Sequence, residues 1–137
     1  MIQQQRTSNL DWMLKDLATG VPQTRHVIVL SADGLCVAQY GADTDTADRL
    51  AAACAGLQSL AAAVAGELPH SEGRMRLVVI EMDGGFFYLM AAGSGSYLAV
   101  LADEGVDAGL MGQRMRDLVL RIGEHLSTPP RVQGPHP

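Results

Sequence analysis

The sequence predicts an α+β domain in which one five-stranded, mostly antiparallel sheet carries helices on both faces. Three observations predict it. Two Asp-Gly dipeptides, Asp33-Gly34 and Asp83-Gly84, each lie between runs rich in Val, Ile, Leu and Phe, and both positions of such a pair tolerate the positive φ of a tight hairpin turn. Three other stretches repeat apolar residues at helical spacing. The strand segments are apolar on both alternations, so both sheet faces call for cover.

The elements follow in order. Ser8 or Asn9 is placed to cap a first helix whose stripe is Leu10, Met13, Leu14 and Leu17, with Gly20 and Pro22 to stop it. His26 to Leu30 and Leu35 to Tyr40 form a hairpin across Asp33-Gly34. Asp43, Asp45 and Asp48 crowd the start of a second helix running to about Leu68, where acidic groups suit the dipole. Three strands make a meander: Arg74 to Met82, Phe86 to Ala92 and Tyr97 to Ala102. The last helix, about Val106 to Leu126, carries the stripe Met111, Met115, Leu118, Val119, Ile122 and Leu126. Its other side offers Arg114, Arg116, Asp117, Arg121 and Glu124 to water. The segments 1–8 and 127–137, the latter holding most of the six prolines, are expected to be flexible flanks of a single domain over 9–126.

The second helix is the unusual one. Leu50, Cys54, Leu57, Ala61, Val64 and Leu68 fall on one narrow stripe, Ala52, Gly56, Ser59, Ala63 and Gly66 on the other side, and no charge occurs from Leu50 to Gly66. A helix lying on a sheet should show water a charged face. The large stripe is therefore expected against the sheet, and the small one against another helix at close range, such as the same helix of a second copy. A membrane span is disfavoured, because an Ala-rich stretch with Gln58 and Ser59 gains little in hydrocarbon.

Composition narrows the function classes. A net charge of −5 argues against nucleic acid, whose binders need a basic stripe. Met1–Ser8 is polar, so no signal peptide and a cytoplasmic location are expected. Cys36 and Cys54 sit in apolar segments and read as reduced core thiols.

No catalytic residue emerges. The Gly84-Gly85 and Gly93-Ser94-Gly95 clusters open no helix and lack the Lys of a phosphate loop. The three aspartates lack the Gly and distal Glu of a calcium loop. His26, His70, His125 and His136 share no metal-ligand spacing, so neither metal nor cofactor is expected. Ser31 has Asp33 nearby in sequence but no base expected beside it, and Cys36 would need a histidine from across the fold.

The phrases LDWMLKDLATGVPQTRHVIVLSADGL, DRLAAACAGLQSLA and VVIEMDGGFFYLMAAGSGSYLAVLAD, with the GL and GEHL ends of the last helix, resemble the roadblock family of dynein light-chain-like domains, in particular its actinobacterial branch. The resemblance covers about Leu10 to Leu126. It implies a profilin-like α-β-β-α-β-β-β-α arrangement and a homodimer with central helices packed together and third strands paired edge to edge. The strand with Leu77, Val78, Val79 and Ile80 would be the joining edge. It further implies an adaptor without enzymatic activity that binds a small Ras-like GTPase and modulates its nucleotide state. A histidine-kinase-like membrane protein is a further partner the resemblance brings with it, along with recruitment to the membrane. Arg114, Arg116 and Arg121 are the candidate partner contacts, and an arginine finger could come from among them. The Ala-rich central helix departs from relatives that more often carry an arginine there. The alternative function is a small-molecule sensing module without enzymatic activity, which requires a pocket with convergent polar groups.

Overall fold

The computed structural model describes the backbone of residues 2–93 and 95–127 and the side chains of 10–93 and 95–124. Its elements are α1 (Ile2–Gly20), β1 (Thr24–Ser31), β2 (Cys36–Tyr40), α2 (Thr44–Ala65), β3 (Leu77–Met82), β4 (Gly85–Ala91), β5 (Ser96–Asp103) and α3 (Ala108–Ser127). The order matches the expected α-β-β-α-β-β-β-α arrangement. Among the described residues the five strands form one sheet in the order β2-β1-β5-β4-β3, with every neighbouring pair antiparallel.

One face of this sheet carries α1 and α3. Val27, Val29, Leu98, Val100, Tyr88 and Met90 meet Leu10, Leu14 and Leu17 of α1 and Met111, Met115, Leu118 and Ile122 of α3 in one cluster. These are the stripes the spacing predicts for both helices, and each fully buried Leu, Ile or Met stabilises the fold by about 1.5–3 kcal/mol. The side chain of Leu126 lies outside the described residues, as do His125 and His136 and the Pro-rich tail beyond Ser127. α1 begins at Ile2, so Ser8 and Asn9 are interior residues and not its cap. Glutamines and an arginine precede them with no Gly or Pro to break the helix, and this run propagates it.

Among the described residues the opposite face carries α2 alone. Asp43 is its N-cap, accepting from the backbone N–H of Thr46 at 2.7 Å, and that bond holds the exposed carboxyl below the usual carboxylate range. Helix capping is thus what the acidic cluster begins with. Ala47, Ala51 and Cys54 press onto Ile28, Leu30, Phe87, Leu89 and Ala99. The hairpin turn tucks against the same helix: Gly34 has φ +86°, and a Cβ there would stand 3.0 Å from the Cβ of Ala55. Leu50, Cys54 and Leu57 of the predicted stripe pack on this face, and the small Ala47 and Ala51, which the helical wheel did not place there, join them in the approach to the sheet.

Two expectations fail along the far edge. The helix ends at Ala65, with Gly66 as its C-cap, so Leu68 lies in the turn beyond it. Val64 is 71% exposed, so the distal end of the large stripe does not lie on the sheet. β3 is an edge strand, with Leu77, Val79 and Met82 exposed, although its apolar alternation called for cover on both faces. The reason is reach: α2 packs mainly on β2 and β1, and α3 on β5 and β4, so among the described residues neither closes fully on β3.

Candidate interaction surface

The surface is built where α2 outruns the sheet that holds it. Its first half is pinned by Ala47, Ala51 and Cys54, and the Tyr97 hydroxyl donates to Oε1 of Gln58 at 2.9 Å. Beyond Gln58 the helix continues over β3 without closing on it. Between them lies an apolar groove of about 470 Å³ bordered by Leu57, Leu60, Val64, Met75, Leu77 and Val78. On this side of β3, Val78 and Ile80 are only partly buried and Met82 is exposed.

The expected interface residues divide across this surface. Ala52, Gly56, Ser59, Ala63 and Gly66 are not buried within the chain. Ala52 lies beside the Gly34 hairpin turn, and Gly66 is the helix cap, so the stripe is shorter than the wheel suggests. Val78 and Ile80 turn to the α2 face, whereas Leu77 and Val79 stand opposite Met90 and Tyr88 and share the α3 face with them. Leu60 belongs to the same exposed surface, and the wheel placed it in neither stripe. Its signal was in the sequence: an uncharged helix has no polar boundary to separate one apolar flank from the next.

The arginines do not converge. Arg114 is half-buried, its guanidinium packed against Gly20 at the end of α1. A cation at that helix C-terminus meets the negative end of the dipole. Arg114 and Arg121 border one small cleft with Asp16 and Asp117, whereas Arg116 borders another beside β3 and β4. Only Arg116 and Arg121 are exposed enough to be offered to a partner.

The candidate nucleophiles are quiet. Ser31 does have a carboxylate beside it, contrary to expectation: its hydroxyl donates to Asp33 within the hairpin turn, where it also accepts from the N–H of Leu35. That is turn geometry, with no histidine among its partners. Burial pushes the Cys36 thiol up, and the nearby Asp48 and Asp11 add to the effect. Cys54 is buried and pushed up to about 11. Both thiols thus move away from the thiolate form that nucleophilic chemistry requires. Among the described residues no group of three or more His, Cys, Asp or Glu is arranged to hold a metal, and no helix is long and apolar enough to cross a membrane.

A five-stranded antiparallel sheet with α2 on one face and α1 and α3 on the other is the arrangement of a Roadblock/LC7 domain. The family model of that description matches residues 10–102, and the chain belongs to this family. It is similar to the Roadblock/LC7 domain from Streptomyces avermitilis at 38% identity, covering 86% of this chain and 98% of that one with a TM-score of 0.80. Two further solved structures share the fold at lower identity. The gliding protein MglB from Thermus thermophilus is 18% identical, with coverage of 88% and 90% and a TM-score of 0.79. Myxococcus xanthus MglB is 16% identical, with coverage of 96% and 95% and a TM-score of 0.76. No curated protein matches the chain in sequence.

Proposed function

We propose that the chain is a dimeric, non-catalytic adaptor that binds a small Ras-like GTPase and modulates its nucleotide state. The observation that carries the reading is the unfinished edge: β3 has a free side, and the half of α2 above it exposes Leu60 and Val64. A second copy finishes it in one operation. Pairing β3 with its twin satisfies the strand edge, and the two α2 helices then meet through Leu60, Val64 and the exposed Ser59 and Ala63. The same surface patch serves both copies, as a twofold interface requires.

The family resemblance supports the partner class, because it implies a platform for Ras-like GTPases. A related MglB structure is described in a tetrameric arrangement, which supports self-association as a trait of the fold. The dimer supplies a broad preformed surface on which GTPase switch segments could be ordered. Arg116 and Arg121, both exposed, are the candidate contacts to a bound nucleotide.

The test is a pull-down with GDP- and GTP-loaded forms of a Ras-like GTPase from the same genome, followed by hydrolysis assays. The reading expects retention of one nucleotide form over the other. Equal absence of both forms would remove the GTPase from the proposal. Unchanged hydrolysis with R116A and R121A together would remove the arginine finger while leaving the adaptor.

A further inference from the structure

On the face opposite α2, a second groove of about 240 Å³ runs between the first half of α3 and the strands β3 and β4. Its floor is apolar, with Val79 and Met90 from the sheet and Met115 from the helix, and Gly112 keeps the helix wall low. Two polar features stand out against that lining. Tyr88, only 4% exposed, borders the groove, and its hydroxyl is buried without a hydrogen-bond partner among the described residues. A buried hydroxyl left unpaired costs free energy that a ligand acceptor would recover. Arg116 also borders the groove, its guanidinium folded back 3.3 Å from where a Cβ on Gly112 would lie. No carboxylate pairs with it among the described residues.

We infer that this groove binds a small monocarboxylate with an apolar tail. The carboxylate takes the Tyr88 O–H and an Arg116 N–H, and the tail lies along Val79, Met90 and Met115. One neutral donor and one cation match a single negative charge. A dianion fits less well, because Glu81 faces the same side of β3, opposite Phe86, and the chain carries a net charge of −5. The N-terminus of α3 contributes little, since Asp107 already accepts from Leu110 N–H at 3.0 Å. Burial holds the Tyr88 phenol above its ordinary pKa, so it remains a proton donor at neutral pH. The site lies on the face away from α2, although it shares β3 with the proposed dimer edge and Arg116 with the candidate GTPase contacts.

The test follows amide shifts by NMR while hexanoate is added to the whole protein, with 1-hexanol as the uncharged control. The inference expects saturable shifts centred on Val79, Gly109 and Gly112. Tyr88→Phe, Arg116→Gln and the alcohol should each weaken binding about tenfold. Both variants leave the apolar core intact, so unchanged shifts elsewhere confirm that they fold. Absence of saturable shifts at millimolar hexanoate, shifts centred on Leu60 and Val64, or full affinity in Tyr88→Phe would each overturn the site.

Discussion

Two regions of the molecule are finished to different degrees. Over β1, β5 and β4 the cover by α1 and α3 is complete: Leu14, Val29, Leu98, Val100, Met115 and Ile122 have no solvent contact worth counting. Around β3 and the distal half of α2, residues of the same chemistry stand in water, with Val79 49% exposed. The difference is one of geometry more than of composition. Three helices reach four strands, and the fifth strand keeps one free edge and two partly bare faces. A closed region of this kind sets the stability of the single chain, whereas an open one sets what the chain does with others. Apolar surface of that extent, joined to a strand edge, is an interaction site or an aggregation hazard.

This contrast can be broken by mutation. The largest effect is expected from Val64→Arg. Placed between two α2 helices, an unpaired charge should raise the dimer dissociation constant on the order of a thousandfold. The lone chain should melt almost as before, since Val64 is largely in water there. Leu98→Ala does the converse. It opens a cavity in the closed region and should cost about 3 kcal/mol in denaturant unfolding of the single chain. Equal effects of both variants on chain stability would abolish the distinction between the regions.

Smaller effects sharpen it. Tyr88→Phe removes a buried hydroxyl with no partner among the described residues, so urea unfolding should show stability unchanged or raised, by about 1 kcal/mol at most. A loss would reveal a structural partner for that hydroxyl. The pH dependence has a definite sign. Burial raises the Cys54 thiol from 9.0 to about 11, so the folded state holds this proton more tightly than the unfolded state. Its contribution is fully present below pH 9 and is lost as pH rises toward about 11; Tyr88 shifts in the same direction. Cys54→Ala should flatten that alkaline decline in a melting series. In iodoacetamide labelling at about pH 8, below the ordinary thiol pKa, both cysteines should react slowly until the chain unfolds.

Much of the closed region was legible in the sequence. The stripe Met111, Met115, Leu118, Ile122 and the Asp33-Gly34 turn are local signals that tertiary packing reinforced. The open region was harder to read. Periodicity separates apolar from polar faces, and α2 between Leu50 and Gly66 has no charged residue to mark the boundary. The wheel ranked residues by size, and placed Val64 on the sheet. The structure keeps Cys54 there as the wheel had it and adds Ala47 and Ala51, because small side chains let the helix and the Gly34 turn come close. The alternation of β3 likewise says that both its faces are apolar, but not whether this chain or another covers them. The start of α1 was missed for a simpler reason: Ser8 and Asn9 look like caps, and nothing before them stops a helix.

The central claim is that a second copy completes the β3 and α2 edge. Sedimentation equilibrium across nanomolar to micromolar protein tests it most directly. The account predicts a species of twice the 14.5 kDa chain mass at micromolar concentration, reverting to the single chain in Val64→Arg. A wild-type protein that stays at 14.5 kDa throughout that range would contradict it.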